Sequence, residues 1–555
     1  MGYRGTSAPD WPSRRDFLRR SARLGTSALA ASVFVKSSLN HPLQGLSKPA
    51  EPLKANLSVD AGIVHNRINP HIYGTLVEHI GRVVYGGIFD EGSALSDEQG
   101  MRKDVLAAAA DWGVTNLRWP GGDFASQYHW EDGIGPVQSR PRKYNAAWLE
   151  EESNHFGTDE FIAFCKKVGG EPYLCINAGT GTIEEAANWV EYCNGVGDTH
   201  YANLRRKNGH PEPYGVHYWG LGNEVYGNWQ IGHKNADDYA KFAVETAKMM
   251  KWVDPTIRLI ACGSVDDPAW NKKVLEELVN LVDFISLHDY EGTDDYYELL
   301  GSVRHFEHNI KLMDAIIELT DSQRGKDPIL AWAIPETKGK KRVEIACDEW
   351  NIWYRKRDIW RRDVPNPVEE RYNLRDALWV ASSLNLLHRM GGVVTLANLA
   401  QLVNAIAPIF ASKEGMFLQT TYFPMKLYTH ECGSLYLAST VQSPTFSSKS
   451  YPDVPYLDVS TTADEGRNTL SLAVVNRHQS QSILTAIAVE NARVDGRAQV
   501  FEINGTSVEV ENSFSEPNNV RILQKDSVVA GGTFAYTFPA HSITLLKLNI
   551  AVSGH

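Results

Sequence analysis

Eight short apolar runs, rich in β-branched and aromatic residues, recur between about residues 70 and 400, and amphipathic stretches with helical spacing separate them. The runs are IYGTLVEH, VTNLRWPGG, PYLCINAG, VHYWGLGNE, IRLIACGSV, VDFISLHDY, VEIACDEWN and VVTLANLAQ. Strands that alternate with helices are typical of a parallel sheet, and eight such units can close a barrel. The pattern therefore predicts an α/β protein with a (β/α)8 TIM barrel over residues 71–424.

The helical stretches carry terminal signals of their own. Ser96 is predicted to cap a helix that ends at Gly113, and Thr158 to cap one that ends at Gly169. Another helix is expected around FEHNIKLMDAIIEL, followed by the charged loop KGKKR. His305 and His308 on that helix have a spacing that a metal site could use, but no third ligand is near in sequence. A solvated helix face is the favoured interpretation, and no metal is predicted.

The pattern changes after about residue 425. Strands with alternating apolar residues and polar turns follow one another, as in LSLAVVNRH, AQVFEING and HSITLLKLNI. This texture predicts an antiparallel, jelly-roll-like β-sandwich over residues 425–552. The run ANLSVD, within a segment at residues 55–70 that precedes the barrel, also alternates and is expected to join the sandwich.

Composition and charge indicate which kinds of molecule the protein can bind. The 555 residues are 43% hydrophobic and 22% charged, which is typical of a soluble globular protein with more than one packed unit. The formal charge of -12 divides into +5 over the first 40 residues and -17 over the rest. An acidic body argues against nucleic acid as a partner and suits a neutral substrate. The 15 Trp residues are mostly expected in the core, although sugar-binding clefts also use flat rings.

Residues 1–40 resemble a twin-arginine export signal. The segment SRRDFLRRSARLGTSALAASVFVKSS places an arginine pair before a weakly apolar run that is too short for a membrane anchor. The alternative is a disordered basic tail. The segment thus predicts export to the periplasm or the outside of the cell, without a membrane anchor.

The six cysteines do not form a recognisable motif. Cys175, Cys262 and Cys347 lie inside apolar runs, where cysteine behaves as a small hydrophobic residue, and no CxxC occurs. The sequence leaves open whether any pair of cysteines is bonded.

Polar residues collect at the carboxyl ends of the predicted strands. In a closed parallel barrel these ends lie at one face, where the βα loops build the active site. The residues are Glu78, Arg118, Asp123, Asn177, Asn223, Glu224, His288, Tyr290, Asp348, Glu349 and Gln401. We expect all of them to face one pocket.

Two glutamates on different strands favour glycoside hydrolysis. The sequence shows no nucleophile elbow, no glycine-rich phosphate loop and no metal motif. Cleavage of an acetal needs one carboxyl group as an acid and one as an anion, because the leaving oxygen must be protonated while positive charge grows at the anomeric carbon. No cofactor is predicted. A strand-end carboxylate in an ion pair is the alternative for each glutamate.

Five motifs resemble the α-L-arabinofuranosidases of glycoside hydrolase family 51, in clan A. They are YGTLVEHIGR with YGGIFD, LRWPGGDFASQYHWEDGIGP, GLGNEVYGNWQIG, CDEWNIWY and ANLAQLVNAIAPI. The resemblance covers nearly the whole chain after the first 40 residues. It implies a homo-oligomer, often hexameric.

The resemblance also implies residue roles. Glu224 would be the general acid/base and Glu349 the nucleophile of a retaining reaction. Asn223 would bind the sugar 2-hydroxyl, Tyr290 would contact the nucleophile, and His288 would act near the acid/base. The remaining implied substrate contacts are Glu78, Arg118, Trp148, Trp353 and Gln401. A core histidine, a structural ion pair and ordinary packing remain the alternatives for His288, Arg118 and the two tryptophans.

Asp123 departs from the family pattern, which more often has Asn at this position. An amide donates and accepts hydrogen bonds, whereas an ionised carboxylate only accepts. The expected activity is exo-hydrolysis of terminal arabinofuranosyl groups of arabinoxylan, arabinan or their oligosaccharides. The alternatives are a β-xylosidase, galactofuranosidase or endoglucanase of the same family, a catalytically silent carbohydrate-binding homologue and a twin-arginine redox enzyme.

Overall fold

The computed structural model describes residues 53–324, 342–356, 358, 366–529 and 531–552. The predicted export segment at residues 1–40 and residues 338–341 of the charged loop lie outside this part of the chain.

In chain order the strands are β1 (Leu53–Arg67), β2 (Gly74–Leu76), β3 (Asn116–Trp119), β4 (Lys143–Asn145), β5 (Glu150–Glu152), β6 (Glu171–Cys175), β7 (Tyr218–Gly220), β8 (Arg258–Ala261), β9 (Phe284–Glu291), β10 (Glu344–Ile352), β11 (Val394–Ala400), β12 (Ile409–Ser412), β13 (Gly415–Leu418), β14 (Leu435–Gln442), β15 (Thr445–Phe446), β16 (Val454–Pro455), β17 (Leu457–Ala463), β18 (Thr469–Asn476), β19 (Ile483–Glu490), β20 (Ala492–Ile503), β21 (Ile522–Val528), β22 (Thr533–Phe538) and β23 (Ser542–Val552).

The α-helices lie mostly between the barrel strands. They are α1 (Lys103–Trp112), α2 (Thr158–Val168), α3 (Ile183–Asn194), α4 (His200–Lys207), α5 (Ala236–Val253), α6 (Pro268–Leu278), α7 (Tyr296–Gly301), α8 (Val303–Asp321), α9 (Leu374–Arg389) and α10 (Tyr422–Glu431). Helix α8 contains the predicted FEHNIKLMDAIIEL segment.

Eight parallel strands close into a barrel in the order β2-β3-β6-β7-β8-β9-β10-β11. Each predicted apolar run overlaps one of these strands, so the predicted TIM barrel is confirmed. A layer of side chains, one from each of six consecutive strands, fills the interior: Tyr173, Tyr218, Ile260, Phe284, Ala346 and Leu396. The barrel is therefore packed with side chains, and its chemistry is confined to the end above this layer.

A nine-stranded sheet forms the C-terminal β domain, in the order β21-β20-β23-β18-β17-β14-β1-β19-β22. Strand β1 lies inside this sheet, antiparallel to β14 and parallel to β19. The predicted all-antiparallel arrangement is therefore wrong at this one pair. A single apolar core collects side chains from strands along the whole sheet, so the sheet curls around it.

Strands β18 and β23 bury both of their faces. Leu472 and Leu546 belong to the core of the β domain, whereas Ala473 and Leu545 belong to the apolar core that the barrel forms with its helices. Successive side chains of a strand point to opposite faces, so the continuous apolar runs of these strands serve two cores at once. The β domain is thereby fixed against the barrel through these strands.

Two predicted helix starts are wrong. Helix α1 begins at Lys103, because Ser96 Oγ donates to the Asp90 carbonyl oxygen at 2.8 Å and does not cap a helix. The intervening residues turn around Asp97, whose side chain accepts from the backbone of Met101. Helix α2 begins with Thr158 itself, and Gly157 takes the N-cap position.

All six cysteines lie within the described residues and all are free, five of them buried. Among the helices that the structure describes, none combines the length and the apolar character needed to cross a membrane.

Candidate active site

A β-bulge directs two consecutive carboxylates of β10 to the same pocket. The pairing register of β10 with β9 shifts between Ala346 and Glu349. An extra residue in one strand interrupts the strict alternation of side chains, so Asp348 and Glu349 both reach the barrel interior. Asp348 accepts a hydrogen bond from Tyr173 of the interior layer at 2.7 Å, and Glu349 lies above it.

The turn after β7 presents Glu224. Gly222 has φ +96°, and a Cβ at this position would approach the Ala178 Cβ to 2.4 Å. Glycine is therefore required by both the backbone conformation and the space. Glu224 itself has φ +41°, an uncommon conformation for a non-glycine residue. The sharp turn lifts its side chain from the end of a short strand into the pocket.

Three groups surround the carboxylate of Glu349. Arg118 Nη1 donates to Oε1 at 2.5 Å, and the Tyr290 hydroxyl donates to Oε2 at 2.8 Å. His288 Nδ1 lies 3.6 Å from Oε2. These contacts fix the direction of both carboxylate oxygens.

Glu224 contacts a different set of groups. His288 Nδ1 lies 2.9 Å from Oε1, and the indole Nε1 of Trp229 donates to Oε2 at 3.0 Å. Burial would raise the pKa of Glu224, but the hydrogen bond and charge of His288, with smaller contributions from Lys356 and Trp229, lower it below its usual value. In the unliganded enzyme Glu224 is therefore held as a carboxylate.

The two glutamates are close neighbours. One carboxylate oxygen of Glu224, one of Glu349 and a ring nitrogen of His288 all lie within 4.8 Å of one another. Such a trio is also close enough to hold a cation. The glutamate oxygens, however, already accept hydrogen bonds from Trp229, Arg118 and Tyr290.

Asp348 holds the two cationic side chains of the site. Its Oδ2 lies 3.4 Å from Arg118 Nε, and its Oδ1 lies 3.3 Å from His288 Nε2. Burial would raise the pKa of Asp348, but Arg118 and His288 bring it well below its usual value. Burial would likewise lower the pKa of His288, but the surrounding carboxylates raise it to about 10. His288 is thus a cation at neutral pH.

Glu78 forms the opposite wall of the pocket. Trp148 Nε1 donates to its Oε1 at 2.9 Å, and Gln401 Nε2 donates to its Oε2 at 3.0 Å. The backbone N–H of Phe124 also donates to Oε1, at 3.1 Å. Burial and the charge of Glu349 raise the pKa of Glu78 to about 7 in spite of these donors.

Asp123 opens a 3-10 turn, Asp123–Gln127, directly after β3. Its Oδ1 accepts from Asn223 Nδ2 at 3.4 Å and from Gln230 Nε2. Asn223 in turn accepts from Arg118 Nη2 at 2.7 Å. The loss of water around the Asp123 carboxyl, with the charges of nearby carboxylates, raises its pKa well above the usual value.

Two tryptophans stand at the rim. Trp148 lies in the turn between β4 and β5 and reaches Glu78. Trp353 follows β10 and packs edge-on against Tyr290, with ring centroids 5.4 Å apart. Both rings are partly exposed, as a surface for stacking against a sugar requires.

Ten of the eleven residues expected from the sequence contact another member of the set. Asn177 does not: its Nδ2 donates to the Tyr128 carbonyl oxygen at 3.1 Å and to Thr180 Oγ1 at 2.9 Å. Sequence reasoning did not assign roles to Trp229 and Gln230, although both lie in the motif GLGNEVYGNWQIG. It also placed Asp348 in the pocket without a role, because its contacts with Arg118 and His288 have no signal in the sequence.

His305 belongs to a separate group on the outer side of β9. Its Nδ1 lies 3.1 Å from Glu291 Oε1 and 3.9 Å from Asp289 Oδ2, within a group of possible metal ligands that does not include His308. The carboxylates raise the pKa of His305, so these contacts form an ion pair when it is protonated.

Two family models match the chain. The model of the alpha-L-arabinofuranosidase 1 domain matches residues 108–308, and that of the alpha-L-arabinofuranosidase C-terminal domain matches residues 348–542. Together they include both glutamates. The second match begins inside β10, so it spans the last two barrel strands as well as most of the β domain.

Curated relatives extend over nearly the whole chain. A "Probable alpha-L-arabinofuranosidase C" of Aspergillus clavatus is 38% identical over 520 residues, which is 90% of this chain and 98% of the relative. The "Intracellular exo-alpha-(1->5)-L-arabinofuranosidase 1" of Bacillus subtilis is 39% identical over 513 residues, 89% of this chain and 99% of the relative.

Solved structures are similar in the same way. The alpha-L-arabinofuranosidase from Thermotoga maritima in its arabinose complex has a TM-score of 0.82 and 43% identity, covering 89% of this chain and 100% of that one. The GH51 alpha-L-arabinofuranosidase from Thermotoga petrophila has a TM-score of 0.81 and 42% identity, with the same coverage.

The predicted export is contradicted by the Bacillus relative, whose name describes an intracellular enzyme. An arginine pair before a weakly apolar run is too unspecific to identify a signal by itself, and it lies outside the described residues. The resemblance of the five motifs, by contrast, is confirmed by every comparison. The chain belongs to glycoside hydrolase family 51, the α-L-arabinofuranosidases, and is a glycoside hydrolase.

Proposed function

We propose that this enzyme is a retaining, exo-acting α-L-arabinofuranosidase that removes terminal non-reducing arabinofuranosyl groups from arabinoxylan, arabinan or their oligosaccharides. The observation that supports it most is the approach of Glu224 and Glu349 to within 4.8 Å at their nearest oxygens. Retaining glycosidases have carboxyl groups about 5–5.5 Å apart, whereas inverting ones need about 6.5–9.5 Å to admit a water molecule.

In the first step, a carboxylate oxygen of Glu349 forms a bond to the anomeric carbon. The bond from that carbon to the leaving oxygen breaks, and Glu224 gives this oxygen a proton. His288 is the source of that proton in the unliganded pair, because its Nδ1 lies 2.9 Å from Glu224 Oε1 and it is the protonated partner. The product is an alcohol and a covalent arabinosyl ester of Glu349.

In the second step, Glu224 acts as the base. Its carboxylate takes a proton from water, whose oxygen bonds to the anomeric carbon while the ester bond to Glu349 breaks. The proton then passes from Glu224 to Nδ1 of His288, which restores the starting state. Two displacements at one carbon restore the original configuration. The lowered pKa of Glu224 suits this step, because the carboxylate is the form that can accept a proton.

The names of the relatives support the substrate class. The Bacillus relative is named for exo action on α-(1->5)-linked arabinofuranose, and the Thermotoga maritima structure is described as an arabinose complex. A homo-oligomer, with a hexamer as the expected form, follows from the family resemblance and is tested by light scattering of the purified chain.

Replacement of Glu224 tests its proposed role as the general acid. Glu224→Ala is expected to lose most activity on oligosaccharides but to keep more on an aryl arabinofuranoside with a good leaving group, because such a group departs without a proton. Glu349→Ala should show no such dependence on the leaving group and is the matched control. Pre-steady-state kinetics with both substrates measure the difference, and equal losses in the Glu224 variant contradict its role as the acid.

The stereochemistry and the sugar are tested separately. Proton NMR of the first product formed should show the anomer of the substrate, and the opposite anomer would refute the retaining mechanism. A panel of aryl arabinofuranoside, xyloside, galactofuranoside and glucoside compared by kcat/KM should favour the arabinofuranoside. Preference for the xyloside, galactofuranoside or glucoside would instead support a β-xylosidase, galactofuranosidase or endoglucanase.

A further inference from the structure

Arg118 determines which atoms around Asp123 donate hydrogen bonds and which accept them, because a guanidinium group can only donate. Arg118 has no acceptor atom, so Asn223 must turn its Oδ1 toward Arg118 Nη2, at 2.7 Å. The amide nitrogen of Asn223 then faces Asp123 Oδ1, at 3.4 Å. Oδ1 of Asp123 is consequently an acceptor.

A second amide points at the same oxygen. Ser126 Oγ donates to Gln230 Oε1 at 2.8 Å, which leaves Gln230 Nε2 to donate to Asp123 Oδ1. Asp123 Oδ2, in contrast, has no hydrogen-bond partner among the residues that the structure describes. One oxygen of Asp123 is thus saturated by the protein and the other is free for a ligand.

The pocket contains more carboxyl groups than cationic side chains. Glu78, Glu224, Glu349 and Asp348 line it together with Asp123, while the cations near them are the buried Arg118 and His288 and the exposed Lys356. Arg118 and His288 contact Asp348 and the catalytic glutamates, and neither contacts Asp123. A carboxyl group among like charges, without a cation of its own, retains its proton.

Glu78 is the other carboxyl group of the pocket that could hold a proton. Its surroundings favour the ionised form more than those of Asp123 do. Three donors hold its two oxygens, from Trp148, Gln401 and the backbone of Phe124. The two donors of Asp123 share one oxygen. Hydrogen bonds to both oxygens stabilise a carboxylate, whereas one saturated and one free oxygen suit a carboxylic acid.

We infer that Asp123 is a neutral carboxylic acid in the working enzyme, and that its Oδ2–H donates a hydrogen bond to a hydroxyl group of the bound arabinofuranosyl ring. It thereby presents one acceptor and one donor, the pattern of the amide that this family more often has at the position. The raised pKa of Asp123 agrees with this arrangement. The inference rests on the proposed function for the identity of the sugar.

An infrared measurement tests the proton directly. The carbonyl stretch of a protonated carboxyl group is absent from a carboxylate, so the wild type minus Asp123→Asn difference spectrum at pH 7 should contain that band. Addition of L-arabinose to the wild type should shift the band, because the O–H then donates to the sugar. The exposed Asp198, in an Asp198→Asn variant, is the matched control and should change no such band.

Kinetics supply the second readout. With an aryl arabinofuranoside that has a good leaving group, wild-type kcat/KM should fall at alkaline pH as Asp123 loses its proton and with it the donor. The amide of Asp123→Asn donates at every pH, so this limb should move to higher pH by at least one unit. Asp123→Ala should lose about 10- to 100-fold in kcat/KM at all pH values.

The inference fails if the difference spectrum has no protonated-carboxyl band, or if the alkaline limb is the same in wild type and Asp123→Asn. If the asparagine variant does not fold, the wild type minus Asp123→Ser difference spectrum at pH 7 decides the question, and the absence of a protonated-carboxyl band there refutes the inference. A wild type that hydrolyses no arabinofuranoside would refute the proposed function instead, and would leave the infrared result valid.

Discussion

At the scale of residues, one histidine sets the protonation of the acid/base. His288 is held as a cation by three carboxylates, and its charge in turn lowers the pKa of Glu224. The glutamate side chain is buried in a pocket that would otherwise favour its neutral form. The base needed for the second step is therefore available at lower pH than burial alone would permit.

His288→Gln should move the acid limb of kcat to higher pH. Glutamine keeps a donor near Glu224 but removes the charge, so burial raises the pKa of Glu224 and its carboxylate forms only at higher pH. Opposite charges within hydrogen-bond reach shift a pKa by about 1–3 units, which is the shift expected for the limb. The measurement is kcat against pH with an aryl substrate whose first step is fast, and an unchanged acid limb would contradict this assignment.

Asp348→Asn should lower kcat by about 10- to 100-fold and reduce the pKa of His288. Asparagine has the same size but no charge, so His288 and Arg118 lose the anion that holds them. NMR titration of the His288 ring measures its pKa, and circular dichroism checks that the variant is folded. A folded variant with the wild-type histidine titration would show that Asp348 has no such influence.

The charges of the site also make stability depend on pH. The folded-state pKa of His288, about 10, lies above its unfolded value of about 6.5, so the stabilisation is complete below pH 6.5 and is lost as pH rises through 10. Asp348 has a lowered pKa, so its stabilisation is present above about pH 3.9 and is lost in stronger acid.

At the scale of elements, the β4–β5 hairpin positions Trp148 through buried polar contacts. Asn145 donates to the His79 carbonyl oxygen at 2.9 Å and accepts from the backbone N–H of Trp148 at 3.1 Å. Glu152 accepts from the His79 ring at 2.6 Å, and Trp119 donates to the other nitrogen of that ring at 3.0 Å. The hairpin is thereby tied to the ends of β2 and β3.

Asn145→Ala should raise KM about tenfold and change kcat less. The variant frees the backbone of Trp148, which loosens a ring in contact with Glu78, a proposed sugar-binding residue, without touching either of the proposed catalytic glutamates. Glu151→Gln, an exposed change on the same hairpin, is the control and should leave KM within twofold. A fall in kcat with unchanged KM would contradict the proposed role of the hairpin.

The sequence predicted the eight barrel strands because each is a compact apolar run, and it predicted the pocket residues other than Asn177 because they follow strands or match family motifs. It did not predict the hairpin contacts, since His79 and Glu152 are far apart in the chain and nothing in the sequence pattern links them. It did place Asp348 in the pocket, but it did not predict the contacts of this residue with Arg118 and His288, which depend on a register shift between strands. Contacts that depend on tertiary register leave no local pattern.

At the scale of the whole molecule, β1 connects the beginning of the described chain to the β domain. Leu57 and Val59 of this strand are buried in the same core as Leu472 of β18 and Leu546 of β23. The β domain therefore consists of two separate stretches of the chain, with the barrel between them.

Leu57→Ala should lower the free energy of unfolding by about 2–5 kcal/mol, because it removes apolar contacts and leaves a cavity in this core. Ile63→Ala on the same strand is the control: Ile63 is 50% exposed, so a change below about 0.5 kcal/mol is expected. Denaturant unfolding measures both. Equal effects of the two substitutions would show that β1 contributes little to the core.

The place of β1 between β14 and β19 has a consequence for synthesis. Of the described strands, this strand of 15 residues leaves the ribosome first. Both of its neighbours in the sheet emerge only after the entire barrel has been made. Until then β1 has two open edges, which can pair with any extended segment of another nascent chain. Any shortening of the chain that removes β14 and β19 would leave that strand permanently uncovered, so a shortened enzyme should aggregate even though every catalytic residue is present.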